Sequence, residues 1–256
     1  MTPQSHPVPW KQVLALTRHI RDGSLAPMGR LYADIASRLV PVPEIVGEDR
    51  LPAQSRFLLV ANHYQRPGLW IAYPAALIAD VISRHYRIPD LPVRWLVTAN
   101  WPRWRLGPWR FPSPGDWLLP RVAAATGCFS IPFAGSDPMH TARSLRRLLR
   151  EVATSPCPIG LFPEGVAGQA GRPAPPLPGV DRLIRRLAGT GLPAVPVHID
   201  EIDGRLSVSF LETVPAVDVF SWFTRNPARV LTSSYVERHS TGGAQESRQE
   251  LHSHVR

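Results

Sequence analysis

Two short apolar runs each lead straight into a polar turn, and these turns hold the side chains that could do chemistry. Asn62-His63 follows the run Phe57–Ala61, and Glu164 lies in the turn after a second run. Short, bounded apolar runs are typical of buried strands in a parallel sheet, and ligands bind beyond the carboxyl ends of such strands. A histidine held there is well placed to act as a general base. We therefore predict that His63 and Glu164 lie at one rim of a sheet, within a substrate's width of each other.

The motifs around these residues resemble those of the glycerolipid acyltransferase family, which includes lysophosphatidic acid and glycerol-3-phosphate acyltransferases. That family carries Asn-His-x4-Asp after one strand and Phe-Pro-Glu-Gly after another. Asn62-His63 and Phe162-Pro163-Glu164-Gly165 match these motifs, in the same order. The resemblance extends over residues 50–215 and includes the apolar stretch Leu192–Val197.

This resemblance implies an O-acyltransferase that moves a fatty acyl group from acyl-CoA or acyl carrier protein to a hydroxyl of a membrane lipid acceptor. It implies no other cofactor and no metal. His63 would remove the proton of the acceptor's hydroxyl, and backbone donors near the Glu164–Gly165 turn would stabilise the oxyanion. The residues that would contact the substrate are Asn62, Arg66, Phe162, Pro163, Glu164 and Gly165.

The chain departs from the family pattern at three places. Gly68 stands where the family has the aspartate that orients the histidine. Phe133 stands in place of an arginine in the second motif, and Val166 begins the stretch where the family often has Thr or Ser and then Arg. Arg66 or Arg172 could supply phosphate-holding charge from a new position. A carboxylate from elsewhere could replace the aspartate, and the candidates are Asp116, Asp137 and Asp181.

These departures leave two functions open. The chain is either an active acyltransferase or a catalytically impaired relative that binds acyl lipid at the membrane surface. For the enzyme, the missing phosphate-holding residues predict an acceptor that is less charged than lysophosphatidic acid, because an unpaired buried charge is strongly destabilising. A glycolipid, a long-chain alcohol or another hydroxylated lipid fits Phe133 and Val166 better.

The elements that must position these residues predict an α/β fold: a mainly parallel, twisted sheet flanked by helices, similar to that of glycerolipid acyltransferases. We predict an N-terminal helical segment 1–48, an acyltransferase-like domain 49–237 and a disordered tail 238–256. Residues 1–9 are proline-rich and are expected to be loose. The predicted helices are 10–20, 28–40, 69–83, 116–125, 139–153 and 181–187, and the predicted strands are 42–47, 57–61, 94–99, 128–132, 158–161, 194–199 and 206–211.

The basic charge of the chain indicates an anionic partner. The formal net charge is +9, and Lys11 is the only lysine. Between Arg94 and Trp117, tryptophans alternate with arginines, a pattern that suits a membrane interface, single-stranded nucleic acid or a local aromatic cluster. The first two helices are amphipathic, and they either lie on a membrane or pack on the domain. We expect an anionic membrane surface as a partner, and no nucleic acid.

The N-terminus and the cysteines bear on the compartment. Residues 1–10 have no basic region followed by an apolar core, so they do not resemble a signal peptide. Cys128 and Cys157 form neither a disulfide framework nor a metal-ligand pattern. The most apolar window, 69–82, is shorter than a membrane span and contains Asp80. We therefore expect a cytoplasmic protein that associates peripherally with the inner face of the membrane.

Overall fold

A computed structural model describes residues 4–88, 92–99, 104–106, 109–111, 114–132, 138–165, 175–216 and 218–219. Within these residues the chain alternates between helices and strands, as an α/β fold requires. The α-helices are α1 (Trp10–Asp22), α2 (Met28–Ala36), α3 (Ala72–His85), α4 (Pro114–Thr126), α5 (Pro138–Thr154) and α6 (Val180–Ala188), and a short 3₁₀ helix spans Glu48–Arg50.

A mostly parallel sheet forms the centre of the described part of the chain. Its strands are β1 (Glu44–Val46), β2 (Leu58–Ala61), β3 (Arg94–Thr98), β6 (Phe129–Ile131), β7 (Ile159–Leu161), β8 (Pro193–Ile202), β9 (Arg205–Phe210) and β10 (Val214–Pro215). The strand order is β1-β9-β8-β2-β7-β3-β6, and β10 pairs with β8. Only the β8–β9 and β8–β10 pairs are antiparallel. Two further strands, β4 (Trp104–Leu106) and β5 (Trp109–Phe111), form a separate antiparallel hairpin. The predicted α/β class is therefore confirmed.

The middle strands are apolar because both of their faces are covered. Every residue of β2 and β7 is buried, as expected for strands that have helices on both sides. β2 lies between β7 and β8 and is parallel to both. The carboxyl ends of these three strands therefore meet at one rim of the sheet.

Helices cover the two faces in two groups. The chain crosses from β2 to β3 and on to β6 toward one edge, then returns through β7 to β8. Because such crossovers are right-handed, this reversal places α3 and α4 on one face and α5 and α6 on the other. The core agrees: Leu59 and Val195 join one cluster with α2 and α3, whereas Leu148 of α5 and Ile184 of α6 are buried outside that cluster.

The two N-terminal helices pack differently. α2 packs on α3 and buries Met28, Tyr32 and Ile35 in the core. α1 packs beside α4 and leaves the large side chains of Trp10 and Leu14 exposed. β1 lies within the predicted N-terminal segment 1–48 and pairs with β9, so this segment contributes a strand to the sheet.

Two local expectations were wrong. The end of the predicted loose segment 1–9 is ordered: the His6 N–H donates to the Gly68 carbonyl at 2.6 Å, and the Trp70 N–H donates to the His6 carbonyl at 3.0 Å. α2 ends at Ala36 and does not reach residue 40. Trp95, which belongs both to the alternating Trp/Arg stretch and to the predicted strand 94–99, is 3% exposed and lies in the core. The predicted tail 238–256 lies outside the described residues.

Among the described helices, none is both long enough and apolar enough to cross a bilayer.

Candidate active site

The two polar turns predicted to carry the chemistry meet at the carboxyl ends of β2 and β7. These strands run side by side, with Leu58 opposite Ile159 and Val60 opposite Leu161. His63 and Glu164 follow them at the same rim, and the His63 backbone N–H donates a hydrogen bond to Glu164 Oε2 at 3.1 Å. The placement expected from the sequence is thus observed, and the two motifs are in direct contact.

Asn62 fixes the start of the histidine turn by continuing the sheet with its side chain. Its Nδ2 donates to the Ile199 carbonyl at 2.9 Å, and its Oδ1 accepts from the Ile199 N–H at 2.7 Å. The backbone pairing of β2 with β8 ends at Ala61, and the side-chain bonds of Asn62 continue it by one residue. The whole amide of Asn62 is therefore engaged with β8, and its observed role is to hold the backbone before His63.

Arg66 anchors the same turn through a buried ion pair. Its Nε and Nη2 bind the two carboxylate oxygens of Glu201, and the side chains are 8% and 7% exposed respectively. Its Nη1 also donates to the Pro67 carbonyl, and Nη2 donates to the Gln4 carbonyl. Because all three nitrogens have acceptors within the chain, Arg66 can bind a substrate only if this pair opens.

The N-terminal segment 4–9 lies against the far end of the turn. Gly68 accepts from His6, and it has a positive φ of 79°. A Cβ added at Gly68 would lie 3.3 Å from Ser5 Oγ. A side chain at position 68 would therefore project toward this segment. Burial, together with the charge of Arg66, lowers the pKa of His6.

The His63 ring lies in a row of three rings. Its centroid is 4.9 Å from that of Phe162, which in turn stacks on Trp95 at 4.8 Å with nearly parallel planes. The Trp95 ring lies directly over Gly160, where any Cβ would collide with it. Burial lowers the pKa of His63 from its ordinary value, which favours the neutral ring that a base requires.

Within the described part of the chain, no hydrogen bond fixes Nδ1 of the His63 ring. This nitrogen is buried. Of the carboxylates proposed to replace the aspartate, Asp116 and Asp181 are described and neither bonds to this nitrogen. Asp137 lies outside the described residues, as do Phe133, Val166 and Arg172.

Glu164 is the most deeply buried carboxyl group at the rim. It is 3% exposed, and burial raises its pKa to about 7, although hydrogen bonds from its own N–H and that of His63 oppose the shift. Near neutral pH this group is therefore present in both protonated and ionised forms, and it binds the backbone of the base.

The Phe162–Gly165 turn is closed by its own backbone. The Gly165 N–H donates to the Phe162 carbonyl at 3.0 Å, and Gly165 has a positive φ of 62°. Pro163 is buried, and its carbonyl accepts from the Leu177 N–H at 2.9 Å. The N–H groups of His63 and Gly165 are thus occupied, which argues against them as donors to an oxyanion in this conformation.

Sequence reasoning missed two side chains that shape the site. Glu201 holds Arg66 and accepts from the Tyr64 hydroxyl at 3.0 Å. Trp95 supports Phe162. The one available signal was the acidic cluster at the end of an apolar strand. Across the described residues, no group of three or more His, Cys, Asp or Glu side chains could hold a metal ion.

Comparisons with known proteins give a distant structural likeness. No protein-family model matches the chain, and no curated protein matches it. Among solved structures it is similar to the 1-acyl-sn-glycerophosphate (LPA) acyltransferase PlsC from Thermotoga maritima, with 15% identity and a TM-score of 0.42. That match covers 93% of this chain and 81% of the other. At this identity and TM-score, the likeness assigns neither a family nor an activity to the chain.

Proposed function

We propose that the protein is an O-acyltransferase that moves a fatty acyl group from a thioester donor to a hydroxyl of a lipid acceptor. The observation that carries this proposal is the contact between the two motif turns. It holds His63, a half-buried histidine with a lowered pKa, against Glu164 at the rim of a parallel sheet. The motif residues that resemble those of glycerolipid acyltransferases are the ones that meet there.

The proposed reaction needs one proton transfer and one acyl transfer. The His63 ring accepts the proton of the acceptor's hydroxyl, and the oxygen forms a bond to the thioester carbonyl carbon. The carbon–sulfur bond then breaks, and the proton passes to the departing thiolate. Glu164 keeps the base in place through the His63 backbone N–H. The donor is acyl-CoA or acyl carrier protein.

The acceptor is proposed to be less charged than lysophosphatidic acid. Phe133 and Val166 remain the sequence argument for this. One of the two arginines that could have supplied charge from a new position, Arg66, is committed to Glu201. A phosphate at this position would have to compete with a buried carboxylate for the guanidinium.

Purified protein with radiolabelled palmitoyl-CoA and a panel of lipid acceptors tests the activity. A general base contributes about 10²–10⁴ in rate, so His63→Ala should lower kcat/KM by that factor. His85→Ala provides a control, since that histidine lies at the end of α3. Full activity in His63→Ala would reject the proposed base, and preference for lysophosphatidic acid over uncharged acceptors would reject the proposed acceptor.

A second function is favoured by one observation: Nδ1 of His63 has no hydrogen-bond partner among the residues that the structure describes. Without an acceptor on that nitrogen, the tautomer of the ring is not fixed, and in serine protease triads the analogous loss lowers kcat by about 10⁴. The alternative is therefore a catalytically impaired protein that binds acyl lipid. Retention of fluorescent acyl lipid by wild type, without turnover of any donor, would favour this alternative.

Peripheral membrane association is proposed from an exposed apolar surface on α1 and α4. Trp10 and Leu14 on α1, with Trp117 and Leu118 on α4, are exposed on helices that pack together. Arg121 stacks on the Trp117 ring at 4.3 Å. Tryptophan with arginine suits a lipid headgroup region. Flotation with vesicles that contain phosphatidylglycerol should fall in Trp10→Ala/Trp117→Ala, and equal flotation would contradict this surface.

A further inference from the structure

α5 and α6 expose a continuous set of arginines on the face of the sheet opposite α3 and α4. We call this set the arginine face. All of its side chains are exposed, and it comprises Arg143, Arg146, Arg147 and Arg150 on α5 and Arg182, Arg185 and Arg186 on α6.

The arginine face follows from strong amphipathicity in both helices. Leu148 and Val152 of α5, and Ile184 and Leu187 of α6, are buried against the sheet. The arginines occupy the opposite sides, and the two helices pack beside each other. Two adjacent helices therefore present their positive sides together.

Few carboxylates offset this charge. Arg147 forms an ion pair with Glu151, which also binds Arg94. Among the described residues, no carboxylate lies within ion-pair distance of the other six arginines of the face. A cluster of like charges that is neutralised so little attracts a polyanionic partner.

The face adjoins the candidate active site. α5 follows β6, and α6 precedes β8, so both helices run antiparallel to these strands and begin at the rim. Just before α6, the Leu177 N–H bonds to Pro163 in the Glu164 turn. Arg143 and Arg182, near the first turns of the two helices, are thus the members of the face closest to the rim.

The surroundings of the face favour a protein over a membrane. A membrane-binding helix combines basic residues with apolar side chains that enter the lipid. Of the large hydrophobic residues exposed in the described part of the chain, Met139 alone lies on α5 or α6, whereas Trp10, Leu14 and Trp117 lie on α1 and α4.

We propose that the arginine face docks a small acidic protein that carries the acyl group as a thioester, so that acyl carrier protein is a donor. This inference rests on the proposed acyl transfer. It makes α5 and α6 the surface that delivers the thioester to the rim, separate from the apolar surface on α1 and α4.

The test compares two charge-matched variants of the full chain. The first is Arg143→Glu/Arg146→Glu/Arg182→Glu. The control is Arg18→Glu/Arg30→Glu/Arg205→Glu, three exposed arginines outside α5 and α6. If either triple variant fails to fold, the same positions changed to Gln replace it. Binding of palmitoyl acyl carrier protein is measured by fluorescence anisotropy, and kcat/KM is measured with that donor and with palmitoyl-CoA.

We expect the first variant, and not the control, to weaken carrier binding at least about tenfold, because reversed interface charges oppose association. Its kcat/KM with the carrier should fall in parallel, while kcat/KM with palmitoyl-CoA changes less than about twofold. Three results would overturn the inference: no carrier binding by wild type, equal losses in the control, or equal losses with palmitoyl-CoA. A loss confined to binding of phosphatidylglycerol vesicles would also overturn it, by assigning the face to a membrane.

Failure of the proposed function gives a different result. If neither donor supports acyl transfer by wild type, the enzyme assignment fails, and the binding measurement still decides whether the arginine face recognises the carrier.

Discussion

Around His63, the polar groups of the turn are held by distant parts of the chain, whereas the turn around Glu164 is closed by its own backbone. Asn62 bonds to Ile199, Arg66 binds Glu201, and Gly68 accepts from His6. In the second turn, Gly165 bonds back to Phe162. Most of the long-range bonds therefore lie in the His63 turn, whereas the Glu164 turn receives one from the His63 N–H and one from the Leu177 N–H.

This difference shows how the base is positioned. The backbone on both sides of His63 is fixed, yet its Nδ1 has no partner among the described residues. Glu164 binds the His63 backbone and not its ring. The site thus depends on a rigid turn, where the resembled family depends on an aspartate that orients the ring. Four changes test this comparison.

The largest effect is expected from Glu201→Gln, which leaves the Arg66 guanidinium buried without its carboxylate. Removing one partner of a buried ion pair costs about 3–5 kcal/mol, and the free energy of unfolding from urea denaturation should fall by that amount. The activity per folded molecule should fall as well, because the His63 turn loosens. The double variant Arg66→Met/Glu201→Gln should recover part of the stability, and a single-variant loss below about 1 kcal/mol would show that the pair is solvated.

A smaller loss is expected from Asn62→Ala. It removes both side-chain bonds to Ile199 and leaves the buried N–H and carbonyl of Ile199 without partners. An unpaired buried polar group lowers the free energy of unfolding by about 1–3 kcal/mol. Asn62→Asp is the comparison variant, because it keeps the acceptor for the Ile199 N–H and sets a carboxylate oxygen against the Ile199 carbonyl in place of the donor. Amide hydrogen exchange at Ile199 should accelerate in Asn62→Ala. Unchanged exchange would mean that the β8 backbone does not depend on this side chain.

The carboxylate turn is tested by pH. The pKa of Glu164 is raised in the folded state from 4.5 to about 7, so the folded protein binds more protons than the unfolded chain between these values. The stability contributed by the protonated form is therefore complete below pH 4.5 and is lost as the pH rises toward 7. Relative to Glu164→Gln, wild type should lose on the order of 1–3 kcal/mol across this window.

The readout is the difference in unfolding free energy between wild type and Glu164→Gln at several pH values. His63 titrates in both proteins, so its contribution largely cancels. A difference that stays flat from pH 4.5 to 7 would show that the pKa of Glu164 is the same in the folded and unfolded states, so that burial does not raise it.

Local patterns predicted both polar turns and every strand except β4, β5 and β10, because these features depend on neighbouring residues. The runs that became β2 and β7 are short and wholly apolar, and polar residues follow directly. The face of α5 was also predictable, since Leu148 and Val152 recur at helical spacing. Such periodicity requires no knowledge of distant contacts.

What the sequence did not reveal depends on pairing across long separations. Glu201 lies 135 residues from Arg66, and nothing in either local stretch specifies the other as a partner. Segment 4–9 is held by hydrogen bonds to the backbone of the Gly68 turn. Bonds between backbone groups do not depend on the side chains of the segment, so the sequence carries no signal for them. The position of the Trp95 ring over Gly160 cannot be deduced from the spacing of tryptophans, because Gly160 is far away in the sequence.

The smallest effect is expected from Gly68→Asp, which restores the residue of the resembled family. Gly68 has a φ of 79°, a conformation that costs most side chains roughly 1–2 kcal/mol and aspartate somewhat less. The new Cβ would lie 3.3 Å from Ser5 Oγ, so the carboxylate would meet segment 4–9 before it could reach the His63 ring. We therefore expect a loss of stability of about 1 kcal/mol and no gain in kcat/KM.

Gly68→Ala separates the effect of the added Cβ from the effect of the carboxylate. It adds the Cβ without the charge and should lose a similar amount of stability. Gly68→Asp in a chain that begins at residue 10 removes the obstacle at Ser5. If kcat/KM rises only in that shortened variant, segment 4–9 is what keeps position 68 from the histidine. A tenfold or greater gain in the full-length Gly68→Asp variant, which corresponds to about 1.4 kcal/mol of transition-state stabilisation, would contradict the comparison. Such a gain would show that a carboxylate at position 68 can orient the His63 ring. The rigid backbone alone would then not be what positions the base.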